Sequence, residues 1–166
     1  MNSNIIRLAS LGLGWWSDVL ADAVMRASGV KIAACYSRSE NKRKEFAEKY
    51  NCKSANSYEE ILNDSRIDGI INTTPNNVHL ETTSQAAAAG KHVFLDKPIA
   101  NSVADGLKIT QICKSARVKL SIGFQRRREN QFRWIQKKIQ EGSFGILVQA
   151  EANISRDRLG KFEAGH

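Results

Sequence analysis

At 166 residues, with a hydrophobic fraction of 42% and a charged fraction of 25%, the chain has the composition of an ordinary globular domain. No apolar run reaches the roughly 20 residues that span a bilayer, and Cys35, Cys52 and Cys113 show neither disulfide nor metal spacing. The expectation is a cytoplasmic protein in a reducing compartment, with no metal and no membrane partner. The formal charge of +8 is uneven: residues 1–113 carry 13 basic and 12 acidic side chains, residues 114–166 carry 12 and 5.

An apolar run from Ile5 to Leu11 leads into Gly12-Leu13-Gly14, and a helical pattern follows at once. Arg7 and this run faintly imitate a leader peptide, but no small-residue cleavage site follows. Trp16, Val19, Leu20, Ala23, Val24 and Ala27 keep the spacing of one inward face, and Gly29 ends the helix. Val30 to Tyr36 reads as a second strand, Glu40 to Tyr50 as a charged helix with Phe46 and Ala47 inward. Ser57 and Glu60 form a capping box for a short helix through Leu62. Ile67 to Asn72 is a third strand, Val78 to Ala89 an alanine-rich helix closed by Gly90, and His92 to Leu95 a short strand. Ser102 opens a helix with Val103, Leu107, Thr110 and Cys113 inward, before a strand from Val118 to Ile122. Apolar strands alternating with helices predict an α/β class: a parallel sheet covered by helices on both faces over residues 1–124.

Residues 125–166 differ. Glu129 to Glu141 is a helix with Phe132, Ile135 and Ile139 on one face. From Gly145 the chain alternates apolar and polar residues as far as Ser155, the pattern of a half-buried strand in an antiparallel sheet. This stretch is expected to begin a truncated second domain, whose exposed edge would seek a partner and support a homo-oligomer.

Ligands of open parallel sheets bind beyond the carboxyl ends of the strands. Gly12 permits a tight turn there, Gly14 leaves space for a pyrophosphate, and the following helix offers unpaired N–H groups. Ser17 stands where the third glycine of a dinucleotide fingerprint is expected. Trp15 and Trp16 crowd the turn; either one indole lies against the cofactor or both are core. An NAD site wants an acidic residue about 20 positions on, yet the second strand ends in Tyr36-Ser37-Arg38. Arg38 suits the 2′-phosphate of NADP, which becomes the preferred cofactor over NAD; the plain alternative is a solvated arginine before a helix. Thr73 to Asn76, Asp96-Lys97 and Gln125-Arg126 stand at further strand ends, and Lys97, backed by Pro98, has the chemistry of a proton-transfer residue.

Thr73-Thr74-Pro75-Asn76-Asn77-Val78-His79, then Gly90-Lys91-His92-Val93 and Asp96-Lys97-Pro98, resemble the glucose–fructose oxidoreductase, inositol dehydrogenase and rhizopine-catabolism (Gfo/Idh/MocA) family in order and spacing. Gly123-Phe124-Gln125-Arg126-Arg127 and Gly142-Ser143-Phe144-Gly145 extend the likeness. The resemblance implies a Rossmann-type, doubly wound domain that binds NAD(P), followed by a second domain with an open antiparallel sheet. It implies an NAD(P)-dependent oxidoreductase acting on a hydroxylated small molecule (a sugar, polyol or cis-dihydrodiol), present here as its cofactor-binding half, which is expected to bind cofactor without turnover. It implies that Lys97 is the active-site lysine and that Thr74, Asn76 and His79 line the cofactor site. Asp96 replaces that family's usual glutamate. Two other classes stand beside this one: a dinucleotide-binding module without catalysis, and a basic nucleic-acid binder using Arg126 to Arg128, Arg133, Lys137 and Lys138. The sequence favours no nucleic-acid partner, since the arginines follow a strand end.

Overall fold

The structure, a computed structural model, describes residues 5–153. The chain divides into two compact units, Met1–Phe124 and Gln125–His166.

The first unit is built on one six-stranded sheet. Its strands are β1 (Ile6–Leu11), β2 (Val30–Tyr36), β3 (Lys53–Ser54), β4 (Gly69–Asn72), β5 (His92–Leu95) and β6 (Leu120–Ile122). They lie in the order β3-β2-β1-β4-β5-β6, and every pair is parallel. The crossovers carry helices α1 (Trp15–Arg26), α2 (Glu40–Tyr50), α3 (Tyr58–Asn63), α4 (His79–Ala88) and α5 (Val103–Ser115). This is the expected Rossmann-type α/β architecture. Successive strand residues face opposite sides of a sheet, and here they feed two cores. Ala9, Leu11, Ile70, Val93 and Leu95 pack with Tyr58, Ile61, Ala86 and Ile109 of α3, α4 and α5. Ile32, Cys35 and Ile71 pack with Ala21, Phe46 and Tyr50 of α1 and α2. The order in which strands are added reverses between β1 and β4, and ligand crevices of open α/β sheets form at such a switch point.

Two helices sit differently from their expected faces. In α1 the buried positions are Ser17 and Ala21, with Leu20 and Val24 partly buried beside them, whereas Val19 is exposed. Small side chains bring the helix close to the sheet, so the contact line follows Ser17 and Ala21 rather than the largest residues. The Ser17 hydroxyl is satisfied within its own turn, donating to the Gly14 carbonyl at 2.6 Å. In α5 the inward residues are Gly106, Ile109 and Cys113. Val103 and Leu107 are 81% and 67% exposed, again because the smallest residue, Gly106, allows the closest approach, its missing Cβ lying 3.3 Å from Ile99 Cγ2.

In the second unit, α6 (Asn130–Gln140) carries Trp134, whose ring meets that of Phe144 edge to face at 6.4 Å. Lys137 and Lys138 both pair with Glu141 at the end of the helix. The strand expected from Gly145 onward is not formed over residues 146–153. Ile146 and Val148 are 91% and 93% exposed, and no described neighbour supplies the ladder that turns an alternating pattern into a strand. Ile154 and Ser155 of that expectation lie outside the described residues.

Candidate functional site

The carboxyl ends of β1, β2 and β4 open into a crevice of about 680 Å³. Gly12, Gly14, Ser37, Arg38, Thr73, Thr74 and Pro75 all line it, so most of the residues singled out in the sequence converge there. Lys42, Tyr58, Asn77 and Glu81 complete its walls.

Each wall follows from local chemistry. Gly12 has φ +82°, and a Cβ there would stand 2.8–2.9 Å from backbone atoms of Thr73 and Thr74. Thr73 causes that closeness: its hydroxyl donates to the Gly12 carbonyl at 2.5 Å, and its N–H to the Leu11 carbonyl at 2.8 Å. Gly14 is extended, with φ −120°, and a Cβ built on it meets nothing within 4 Å. It is the N-cap of α1, and no side chain caps that helix. The leading N–H groups and the positive end of the dipole therefore meet the crevice uncapped, the standard arrangement for holding an anion.

The next turn is organised by Asn72, which is buried. Its side-chain oxygen accepts from the Thr74 N–H at 3.1 Å and the Thr74 hydroxyl at 2.7 Å, while its amide donates to Thr82 at 2.8 Å. Asn72 fixes the crevice floor, although as the last residue of an apolar strand it carries no obvious sequence signal. At the end of β2, Arg43 donates to the Ser37 carbonyl at 2.8 Å and lies over the Tyr36 ring. The Ser37-Arg38 turn is thus pinned from beneath, and the Arg38 side chain stays exposed. Lys42, one turn into α2, adds a second cation to the same wall. Its spacing from Ser39, the N-cap of α2, is the signal that would have found it. Tyr58 donates to the Thr82 carbonyl at 2.9 Å, and burial pushes its hydroxyl pKa up.

Asp96 and Lys97 lie at the end of β5. The Asp96 N–H donates to the Asn72 carbonyl at 2.9 Å, linking this loop to the floor, and Oδ1 accepts from the Trp16 indole at 3.1 Å. Lys97 is exposed, and its peptide bond to Pro98 is cis. Trp16 therefore serves the Asp96 loop, while Trp15 is 76% exposed beside a smaller hollow lined also by Lys42 and Lys49. Neither indole belongs to the core. Asn76 is exposed in a short 3-10 turn, and its neighbour Asn77 supplies the crevice wall instead. His79 does not line the crevice, contrary to the expectation. It is fully buried, with Nε2 2.9 Å from the Thr74 carbonyl and Nδ1 3.0 Å from that of Pro98, because it begins α4 beneath the turn rather than within it. Arg126 belongs to the second unit, in a 3-10 turn whose carbonyl accepts from the Glu129 N–H at 3.1 Å. Among the described residues no group of three or more His, Cys, Asp or Glu is placed to hold a metal.

Residues 6–124 match the model of the Oxidoreductase family, NAD-binding Rossmann fold (GFO_IDH_MocA). The chain belongs to this family. It is 33% identical over 122 residues to scyllo-inositol 2-dehydrogenase (NADP(+)) IolW of Bacillus subtilis, an alignment covering 74% of this chain and 33% of that one. A solved structure, described as a putative NADPH-dependent oxidoreductase from Desulfitobacterium hafniense, is 35% identical with a TM-score of 0.81, over 86% of this chain and 41% of that one. A putative myo-inositol dehydrogenase from Sinorhizobium meliloti is 26% identical with a TM-score of 0.77, over 84% and 42%. The chain spans less than half the length of each. Within this oxidoreductase family the matched segment is the NAD-binding fold, and it ends at Phe124, where the first compact unit ends. Among the described residues no helix is long and apolar enough to cross a membrane.

Proposed function

We propose that the chain binds NADP in preference to NAD and contributes the cofactor-holding half of an oxidoreductase that moves hydride between the nicotinamide and a hydroxyl-bearing small molecule. The observation that carries this reading is the convergence, around one crevice, of an uncapped helix N-terminus beside Gly14 with Arg38 and Lys42. The first suits a pyrophosphate; the two cations suit a 2′-phosphate, for which arginine offers a planar fork of donors. The names of two relatives, which specify NADP(+) and NADPH, agree with it.

In this reading Gly12, Gly14, Ser37, Arg38 and the Thr73 to Pro75 turn hold the cofactor, with Asp96 and the Trp16 indole supporting the next loop. Lys97 exchanges the hydroxyl proton while the nicotinamide supplies or accepts the hydride. Sugars, polyols and cis-dihydrodiols are the substrate class, in keeping with the names of two relatives, which specify inositol. Residues 125–166 open the substrate domain, where Arg126 offers a cation to an anionic group of the substrate. The exposed apolar residues Ile146 and Val148 then supply a surface for self-association. Three free cysteines fit a reducing cytoplasm. NADPH titration, beside reduction of NADP over a panel of polyols and cis-dihydrodiols with wild type and Lys97→Ala, tests the assignment. The half-enzyme reading expects the 166-residue chain to bind NADPH without turnover. Lys97-dependent turnover by this chain alone would overturn that reading, and absence of NADPH binding would overturn the dinucleotide site.

A further inference from the structure

His79 is fully buried at the start of α4, outside the crevice, and among the described residues its ring nitrogens contact only backbone carbonyls, drawn from two different loops. On one side Nε2 lies 2.9 Å from the carbonyl of Thr74, a crevice residue. On the other Nδ1 lies 3.0 Å from the carbonyl of Pro98 and 3.3 Å from that of Ile99. Lys97 immediately precedes this second pair. A carbonyl only accepts hydrogen bonds, so each ring nitrogen must bring its own hydrogen. A neutral imidazole has one, and would leave a lone pair facing an oxygen at hydrogen-bonding distance. The doubly protonated ring meets both loops, each of its N–H groups facing a carbonyl oxygen.

We propose that His79 is a positioning residue, a doubly protonated clamp that ties the Thr74 turn to the Pro98–Ile99 loop and so sets Lys97 relative to a cofactor in the crevice. A shift in either loop must then break a hydrogen bond in a dry site. The role of the clamp toward Lys97 rests on the reading of the crevice as a dinucleotide site; the state of the ring does not.

Two measurements on the 166-residue chain test it. The first is nitrogen-15 NMR of the imidazole without cofactor. Hydrogens on both His79 nitrogens, slow to exchange, are expected, and a ring with a single N–H overturns the clamp. The second is an NADPH titration followed at the backbone amides of Thr74, Lys97 and Ile99. In wild type all three should respond together. In His79→Leu, Thr74 should still respond while the Lys97 and Ile99 shifts fall at least about fivefold, and His79→Gln, which keeps a donor, should recover part of them. Unchanged coupling in the Leu variant overturns the proposal. Should the Leu variant not fold, the Gln variant must show coupling weaker than wild type, and full coupling there overturns it equally. No NADPH response in wild type at all would refute the dinucleotide reading, and with it the role toward Lys97, leaving the ring measurement to judge the clamp alone.

Discussion

The indole N–H of Trp16 donates to Oδ1 of Asp96 at 3.1 Å, joining residues 80 positions apart. Trp16 sits in the first turn of α1 and Asp96 at the end of β5, so the bond ties the glycine turn to the loop that carries Lys97. Gly123 leaves room for this carboxylate: a Cβ added there would stand 3.2 Å from the same oxygen.

Trp16→Phe keeps an aromatic ring and removes that donor. A hydrogen bond to a charged group is worth about 1.5–3 kcal/mol, and partial exposure of this pair reduces the expected loss to about 1 kcal/mol. Urea unfolding should show a lower midpoint with an unchanged slope. A midpoint equal to wild type would show that the bond contributes nothing.

The two turn glycines should separate folding from binding. Gly12→Ala forces a side chain into positive φ and against the Thr73–Thr74 backbone, and should cost at least about 2 kcal/mol of stability. Gly14→Ala meets open space in an extended conformation, so stability should change by less than about 1 kcal/mol. Its methyl group would instead occupy the approach of the pyrophosphate and weaken NADPH binding by about tenfold or more. Parallel unfolding and binding curves for both variants check this contrast, and a destabilised Gly14→Ala with unaltered affinity would refute it.

Five of the six strands, the crossover helices and the crevice residues Gly12, Gly14, Ser37, Arg38 and Thr73 to Pro75 were legible because strand-end position and residue chemistry both point to them; β3, two residues long, leaves no apolar run to read. Helix faces were less so. Ser17, Ala21 and Gly106 face inward by virtue of small size, which a count of apolar residues passes over. Asn72 and His79 act through backbone carbonyls and amides brought together only by the fold, so neither spacing nor residue type reveals their partners. The alternation after Gly145 records a preference for sheet, and a preference forms no strand without a neighbour.

Tyr50 should make stability fall at alkaline pH. Its hydroxyl meets the carboxylates of Asp18 at 2.9 Å and Asp22 at 3.0 Å, and burial, with these bonds, pushes its pKa up to about 12. An unfolded tyrosine ionises near pH 10, so the stabilising contribution is complete below that value and is lost as pH rises through about 12. Unfolding free energies from pH 8 to 12 should therefore fall more steeply for wild type than for Tyr50→Phe. Parallel curves would show that Tyr50 titrates alike in both states.

The cationic wall should set cofactor choice. Arg38→Ala should remove most of the preference for NADPH, and Lys42→Ala a smaller part, since lysine lacks the planar fork. Both should leave NADH affinity within about threefold of wild type. A preference unaltered by Arg38→Ala would place the 2′-phosphate elsewhere.

The most direct measurement is calorimetric titration of the wild-type chain with NADPH and with NADH at one fixed salt concentration. The crevice described here predicts saturable one-to-one binding of NADPH and an affinity for NADH lower by about one to two decades, the equivalent of one charge-assisted contact. Equal affinities would contradict the role of Arg38, and no saturable binding of either cofactor would contradict the dinucleotide site itself.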